Sequence, residues 1–347
     1  MDPRKGRSIV RNQRIVAEES RAALELDAAF DIFYSAKKAE GIRKKSLEDE
    51  YVNNWRFFRD WLDAERPQIT SADEITVTVM RDFMNYVSTR PKYSGVHKRE
   101  QTDVTVSPYT VAYRIRTLRT IFNFLSNERL IPVNPVANLK EQRFDREEKE
   151  TFSDDDVRRL LATPNTETYA GFRDRTLMMT LADCGLRINE AVQLTTEFLD
   201  IKGRCLNLPA WMNKNRKPRV VPISAECARE LLALVTENRR YFDTDHIFVA
   251  NYGEPLKADH FRKRLKQHAL KAGVDKELAH PHQFRSYFIT TFLLNGGDLF
   301  TLQRIVAHAN IETTRGYAKV NDGHAAQQHA QFSPLARLGL TRVGKRR

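Results

Sequence analysis

The stretch from His280 to Val320, HPHQFRSYFITTFLLNGGDLFTLQRIVAHANIETTRGYAKV, limits what this chain can fold into more than any other. Its apolar residues recur at helical spacing: Phe284, Tyr287, Phe288, Phe292 and Leu293 can anchor one helix face to a core. Gly296 and Gly297 end that helix, Asp298 can cap the next, and Leu302, Ile305 and Val306 give the second helix its apolar side. Asn310 or Thr313 could open a third, short helix that carries Tyr317.

The same helices bear chemistry. His282 and Arg285 are three residues apart and share a helix face. His308 falls at the end of the second helix, and Tyr317 follows nine residues later. Each residue alone has an ordinary explanation, because a helical Tyr usually packs and a helical Arg is usually solvated. The set has another reading. Arginine forks hold the non-bridging oxygens of a phosphate, and imidazoles add hydrogen bonds. A Tyr hydroxyl, with an ordinary pKa of about 10, needs a charged, preorganised site before it attacks anything. One arginine is too few for a phosphodiester, so a second is expected upstream. Arg187, in LADCGLRINEAVQL, is the candidate. A helix over 176–184 ends at Gly185, another begins around Ile188, and Glu190 is close enough to Arg187 to orient its guanidinium.

In order and spacing, Gly185-Leu186-Arg187 with Glu190, His282-x-x-Arg285, and Ala307-His308 followed by Thr313-Thr314-x-x-Tyr317 resemble the tyrosine recombinase (phage integrase) family. The resemblance covers about residues 46–320 and is most specific in the second half. That family also places a Lys in a β-hairpin between the first Arg and the His-x-x-Arg. LNLPAWMNKNRKPRVVPI, residues 206–223, looks like this hairpin, with Lys214 in its basic turn. The pattern departs in three places. Val306-Ala307 replaces the usual Leu-Gly, Ser286 stands where a further His is common, and Asn213-Lys214-Asn215 replaces Gly-Lys-Gly. Asn tolerates a left-handed backbone, so the turn can survive.

Net charge is +12 over 347 residues, and the excess is uneven. Lys and Arg exceed Asp and Glu by 3 up to residue 150 and by 9 after it, so the basic surplus lies with the candidate catalytic half and favours a polyanionic partner. Cys184, Cys205 and Cys227 form no CxxC pair, which indicates neither a zinc ribbon nor a disulfide framework. No apolar run of about eighteen residues exists, so neither a membrane span nor a signal peptide is expected. The expectation is a soluble cytoplasmic, nucleoid-associated protein.

Taken in order, residues 1–45 read as a basic arm and a helix. Ser46 with Asp49 resembles a helix start, and Val52, Trp55, Phe58 and Trp61 or Leu62 form its core face. A further helix is expected over 72–87 and a polar loop over 90–105. Ser107-Pro108 opens a strong helix that Asn134-Pro135 ends, with Val111, Ile115, Leu118, Phe122 and Leu125 inward. Arg114, Arg116 and Arg119 on its outer surface suit DNA contact. Residues 138–152 read as a linker, and Ser153 caps the next domain. Ser224 caps another helix, and HIFVA (246–250) reads as a short strand or core turn. Asp259 is expected to cap a basic helix with Arg262, Lys263, Arg264, Lys266 and Lys271, the preferred major-groove element. Lys217 and Arg219, beside the hairpin turn, are further expected DNA contacts. The tail, 323–347, keeps Phe332, Leu335, Leu338 and Leu340, and in the family such a segment often docks on a neighbouring protomer.

The resemblance implies a mainly α fold with a small antiparallel β-sheet in two domains, a helical core-binding domain (46–137) and a catalytic domain (153–322), closing on DNA like a C. It implies a site-specific recombinase acting on double-stranded DNA with an inverted-repeat core site, as a homo-tetramer on two sites. Arg187, Lys214, His282, Arg285, His308 and Tyr317 are the implied catalytic set, with Glu190 in support. No metal or other cofactor is expected, since no carboxylate cluster offers the two-metal route. Two alternatives share the fold: a DNA-relaxing enzyme and a catalytically silent DNA-binding regulator. A zinc hydrolase on His280, His282 and His308 has no HExxH-like helix to support it.

Overall fold

Helices account for nearly all the regular structure. The computed structural model describes residues 23–91, 104–140, 150–213, 215–307, 329, 330 and 333. The chain divides into two compact units between residues 147 and 148.

The first unit is a helical bundle: α1 (Leu26–Ala39), α2 (Lys44–Ser46), α3 (Asn53–Glu65), α4 (Val77–Thr89) and α5 (Pro108–Asn127), with a π-helical stretch, Leu47–Val52, joining α2 to α3. Its core is aromatic. Trp55, Phe58, Trp61 and Leu62, all on the expected face of α3, meet Phe83 of α4 and Phe122 of α5. Burial of side chains this size stabilises by roughly 1.5–3 kcal/mol each.

Two boundaries differ from the sequence expectation. Leu26, Ala29, Phe30 and Phe33 put α1 inside this same core, and Phe30 stacks on Trp55 with ring centroids 5.1 Å apart. The first domain therefore starts well before residue 46, because an apolar stripe at helical spacing needs a partner surface. The linker also shrinks. Leu139 is buried in the first core, and Phe152 packs against Phe284 in the second. What remains, 141–149, lies outside the described residues, as do 1–22 and most of the expected polar loop, 92–103.

Capping follows the sequence closely but not everywhere. Ser107 accepts from the Thr110 N–H at 3.3 Å, Ser153 from Asp156 at 3.1 Å and Ser224 from Cys227 at 3.1 Å. Each satisfies a donor that the first helical turn leaves unpaired. Ser46 caps nothing, since the helical run begins at Lys44 and passes straight through it. α5 stops at Asn127, ahead of Asn134-Pro135, where Arg129 turns left-handed at φ 56°.

The second unit contains α6 (Asp154–Ala162), α7 (Tyr169–Cys184), α8 (Ile188–Ala191), α9 (Ala225–Tyr241), α10 (Ala258–Ala272), α11 (Pro281–Leu294) and α12 (Leu299–Val306). One antiparallel sheet runs in the order β1 (Leu199–Asp200), β2 (Cys205–Leu208) and β3 (Arg219–Pro222), and β2 and β3 are the expected hairpin, with Cys205 opposite Pro222 and Leu208 opposite Arg219. Residues 246–250 form isolated bridges to Thr195 and Pro255, and Ile247 to Ala250 are buried, so the segment is a core turn. α7 runs through the middle of this unit. Tyr169 of α7 reaches Asn238 of α9, and Arg173 reaches the Val249 carbonyl at 2.9 Å.

α10 corrects the expected groove-reading face. Its N-cap is Lys257, and Asp259 sits within the first turn, paired with Arg262. Arg264 turns inward to Asp174, which is fully buried and also accepts from Arg173 at 2.7 Å and faces His268 Nε2 at 3.1 Å. A buried carboxylate needs that company. Lys263 and Lys266 stay exposed.

Candidate active site

Arg285 is the central residue of the second unit's polar interior. It is 1% exposed, on α11, whose apolar residues Phe284 and Ile289 are fully buried around it. α11 is fixed along its length: the Gln283 amide donates to the Glu150 carbonyl at 3.0 Å, and the Tyr287 hydroxyl donates to Asp154 at 2.8 Å. From this anchored helix the Arg285 guanidinium donates to the Gly185 carbonyl at 2.6 Å and to the Val306 carbonyl at 2.6 Å. Both acceptors are at helix C-termini, of α7 and α12, where the backbone dipole is negative and favours a cation. One side chain thus joins three separated motifs: it lies within His282-x-x-Arg285, holds the residue two before Arg187, and holds the residue two before His308.

Gly185 allows this approach. Its φ is 59°, and a Cβ there would meet the Phe288 ring at 2.4 Å. Only glycine satisfies both conditions. Arg187 then caps α8, whose Glu190 returns twice. Glu190 Oε2 accepts the Arg187 backbone N–H at 2.9 Å and Oε1 accepts the Arg187 guanidinium at 2.9 Å, so Glu190 orients Arg187 as its spacing suggested. The Arg187 side chain is 31% exposed, and that of Glu190 is 3% exposed.

Glu190 has a second cation. Arg219 Nη2 donates to its Oε2 at 2.8 Å, and the Arg219 side chain is 5% exposed. Burial alone would push the Glu190 carboxyl up; the Arg219 hydrogen bond and charge, with the Arg187 backbone bond, more than offset it and hold the carboxyl below its ordinary range. Arg219, expected as a DNA contact, is held here as an interior strut between Glu190 and Asn213. The signal was present in the alternation of β3, where Val221 is buried and Arg219, two residues earlier, must share its face.

Asn213 completes the connection. It is 0% exposed, accepts from Arg219, and donates its amide to the Lys217 carbonyl at 2.6 Å and the Pro209 carbonyl at 3.2 Å. An unbroken polar chain runs from Arg187 through Glu190 and Arg219 to Asn213, the residue before Lys214. The backbone at Asn213 is extended, with φ −86°, and the left-handed position in the turn is Arg216, at φ 53°. Asn213 was expected to ease the turn through its backbone, whereas its side chain braces it.

His282 is exposed on the first turn of α11, one turn from Arg285. Lys217 is exposed in the hairpin. Lys214, His308 and Tyr317 lie outside the described residues, as do the expected short helix after Asn310 and nearly all of the 323–347 tail. In the first unit, Arg114 and Arg119 are half-buried. Arg114 donates to the Asn54 side chain at 3.1 Å and lies 3.8 Å from the centroid of the Phe57 ring, and Arg119 donates to the Leu139 carbonyl at 2.6 Å. Both brace the bundle, and of the three arginines expected to reach DNA from α5 only Arg116 is fully exposed.

Ala307 ends α12 with φ 50°, the left-handed conformation where the family pattern has Gly. A Cβ there is strained by about 1–2 kcal/mol, partly offset by the freedom glycine adds to the unfolded chain. Ala307→Gly should raise stability by about 0.5–1 kcal/mol. Urea melts of both proteins measure this, and a lower midpoint for the glycine variant would show that Ala307 is not strained.

The sequence profile of the phage integrase family matches residues 150–324. Among curated proteins, tyrosine recombinase XerD of Pseudomonas putida is 31% identical over 242 residues, 69% of this chain and 80% of that protein. XerD of Staphylococcus saprophyticus is 28% identical over 259 residues, 74% of this chain and 85% of that protein. Among solved structures, the Tn1549 transposon integrase in complex with a circular intermediate DNA has a TM-score of 0.68 at 16% identity, covering 89% of this chain and all of that one. A lambda integrase tetramer bound to a Holliday junction gives 0.64 at 15%, covering 87% and 80%. The chain belongs to the phage integrase family and is a site-specific tyrosine recombinase.

Proposed function

We propose that this recombinase exchanges strands between two copies of an inverted-repeat DNA site through a covalent Tyr317 intermediate. The observation that carries the reading is the Arg285 guanidinium, held between the Gly185 and Val306 carbonyls and so tying the Arg187 turn to the residues leading into His308. Tyr317 attacks the scissile phosphate and forms a 3′-phosphotyrosyl bond, and a 5′-hydroxyl leaves. Arg187 and Arg285 stabilise the charge that grows on the phosphorane, and His308 donates a hydrogen bond to it. His282 takes the tyrosine proton. Because the bond energy stays in the phosphotyrosine, rejoining needs no nucleotide cofactor. The exposed Arg116, Lys217, Lys263 and Lys266, with Arg262, supply phosphate contacts whose strength falls with salt. Four protomers on two duplexes, with residues 331–340 of each tail docked on a neighbour, form the working assembly in the cytoplasm. The solved structure of a lambda integrase tetramer bound to a Holliday junction supports the four-protomer part of this reading.

The test is a supercoiled plasmid carrying two directly repeated copies of a candidate inverted-repeat site. The expected product is two recombinant circles from the two-site plasmid and no change in a plasmid without sites. Relaxation of the siteless plasmid without exchange would assign the fold to a relaxing enzyme instead.

Lys214 protonates the leaving 5′-oxygen in this scheme, since it follows the braced Asn213 in the hairpin turn. A 5′-bridging phosphorothioate leaves without an acid. Lys214→Ala should therefore cut that substrate at nearly the wild-type rate and the ordinary phosphodiester at least about 100-fold more slowly, the usual weight of general acid catalysis. Equal defects on both substrates would make Lys214 a positioning residue.

A further inference from the structure

The end of α7 and the start of α9 bring together three groups that the recombination chemistry does not use. Asp183 and Cys184 are the last two residues of α7, and Cys227 is in the first turn of α9. One carboxylate oxygen and the two Sγ atoms all lie within 4.8 Å of one another, and Cys184 Sγ is 3.8 Å from Asp183 Oδ2. Both cysteines are 1% exposed, while Asp183 is half-buried.

We propose that Asp183, Cys184 and Cys227 bind a thiophilic divalent cation of the zinc class. The geometry carries the proposal. Zinc bonds of about 2.3 Å to sulfur and about 2.0–2.2 Å to oxygen, at tetrahedral angles, span about 3.6–3.8 Å between ligand atoms. The cluster is already near those spans, so closure around an ion needs only small rotations. Three protein ligands leave one tetrahedral position for water. Binding breaks two S–H bonds, forms two metal–sulfur bonds and releases two protons to solvent, and the carboxylate adds the third negative charge. Asp183 also accepts the Ser224 N–H that begins α9, at 2.8 Å, so one oxygen serves the helix start while the carboxylate retains lone pairs for the ion.

The site would be structural and would not take part in the transesterification. Its position still matters: Cys184 immediately precedes Gly185, whose carbonyl receives Arg285. An ion bridging α7 to α9 would fix the turn that presents Arg187. The proposal does not depend on the recombination reading, because its readout is spectroscopic.

The experiment uses the full chain, reduced with a phosphine, stripped of metal and titrated with Co2+. One equivalent should bind, with thiolate-to-cobalt charge transfer and the strong visible bands of a tetrahedral ion, and Zn2+ should displace it and raise the melting temperature. Cys227→Ser and Cys184→Ser should abolish the charge-transfer band, Asp183→Asn should weaken binding about tenfold, and Cys205→Ser should leave the band unchanged. The absence of charge transfer in the wild-type protein overturns the proposal whether or not the serine variants fold. Loss of the band on Cys205→Ser, or its survival in a folded Cys227→Ser variant, would overturn it as well.

Discussion

Glu190→Ala is expected to destabilise the second unit by about 3–5 kcal/mol, the usual consequence of leaving one partner of a buried ion pair uncompensated. Arg219 is the stranded partner, with a side chain 5% exposed and no other carboxylate among its hydrogen-bond partners in the described residues. Arg187, 31% exposed, adds little to the stability figure, because solvent screens it. Its loss of orientation acts on catalysis instead. A displaced charge stabiliser in a site of this kind slows the chemical step by about 10²–10³-fold. Two comparisons separate these effects. Replacing Glu190 and Arg219 together by leucine and methionine should cost less stability than Glu190→Ala alone, because no buried charge is left unpaired. Strand cleavage should remain slow in that double variant, since Arg187 has still lost its carboxylate. Equal stability of the wild type and Glu190→Ala in urea melts would contradict the buried-pair account.

Acid should show the same pair. The folded Glu190 carboxyl lies below its ordinary range, so its contribution is fully present above about pH 4.3 and is lost as pH falls through the lowered folded value. In Glu190→Gln this part of the acid-induced loss should be missing, and the stability curve below pH 4 correspondingly flatter.

The local signals in the sequence were strong wherever a helix start depends on one side chain. Ser107, Ser153, Ser224 and Asp298 each sit directly before an apolar helical period, and each caps as expected. Ser46 carries the same residue type but falls inside a longer helical run, so a local cap pattern was overridden by the helix around it. The boundary at residue 46 failed for a related reason. Whether the stripe of Leu26, Phe30 and Phe33 belongs to an arm or a bundle depends on its partner, and Trp55 and its neighbours are distant in sequence.

The candidate site was legible as a set of residue types and less so as a network. Arg187 with Glu190 could be paired from spacing, because three residues on a helix meet. Arg219 with Glu190 could not, since 29 residues separate them. Among arginines the sequence does not say which reach solvent. Arg114 and Arg119 on α5, Arg264 on α10 and Arg219 on β3 all turned toward buried acceptors, whereas Arg116, Lys263 and Lys266 did not. The long Arg stem allows both outcomes, and only the packed neighbours decide between them. Cys184 and Cys227 show the same limit: 43 residues apart with no paired motif, they meet because α7 packs on α9.

The most direct measurement of the central claim is covalent capture on a suicide substrate, a duplex carrying the recombination site with a nick just beyond the scissile phosphate. The freed fragment diffuses away, and the 3′-phosphotyrosyl enzyme accumulates. The wild-type protein should form an adduct that resists denaturant and that peptide mapping places on Tyr317. Tyr317→Phe lacks one hydroxyl; it should bind the same duplex with unchanged affinity and form no detectable adduct. An adduct that persists in Tyr317→Phe, or that maps to a different tyrosine, would contradict the assignment of Tyr317 as the nucleophile.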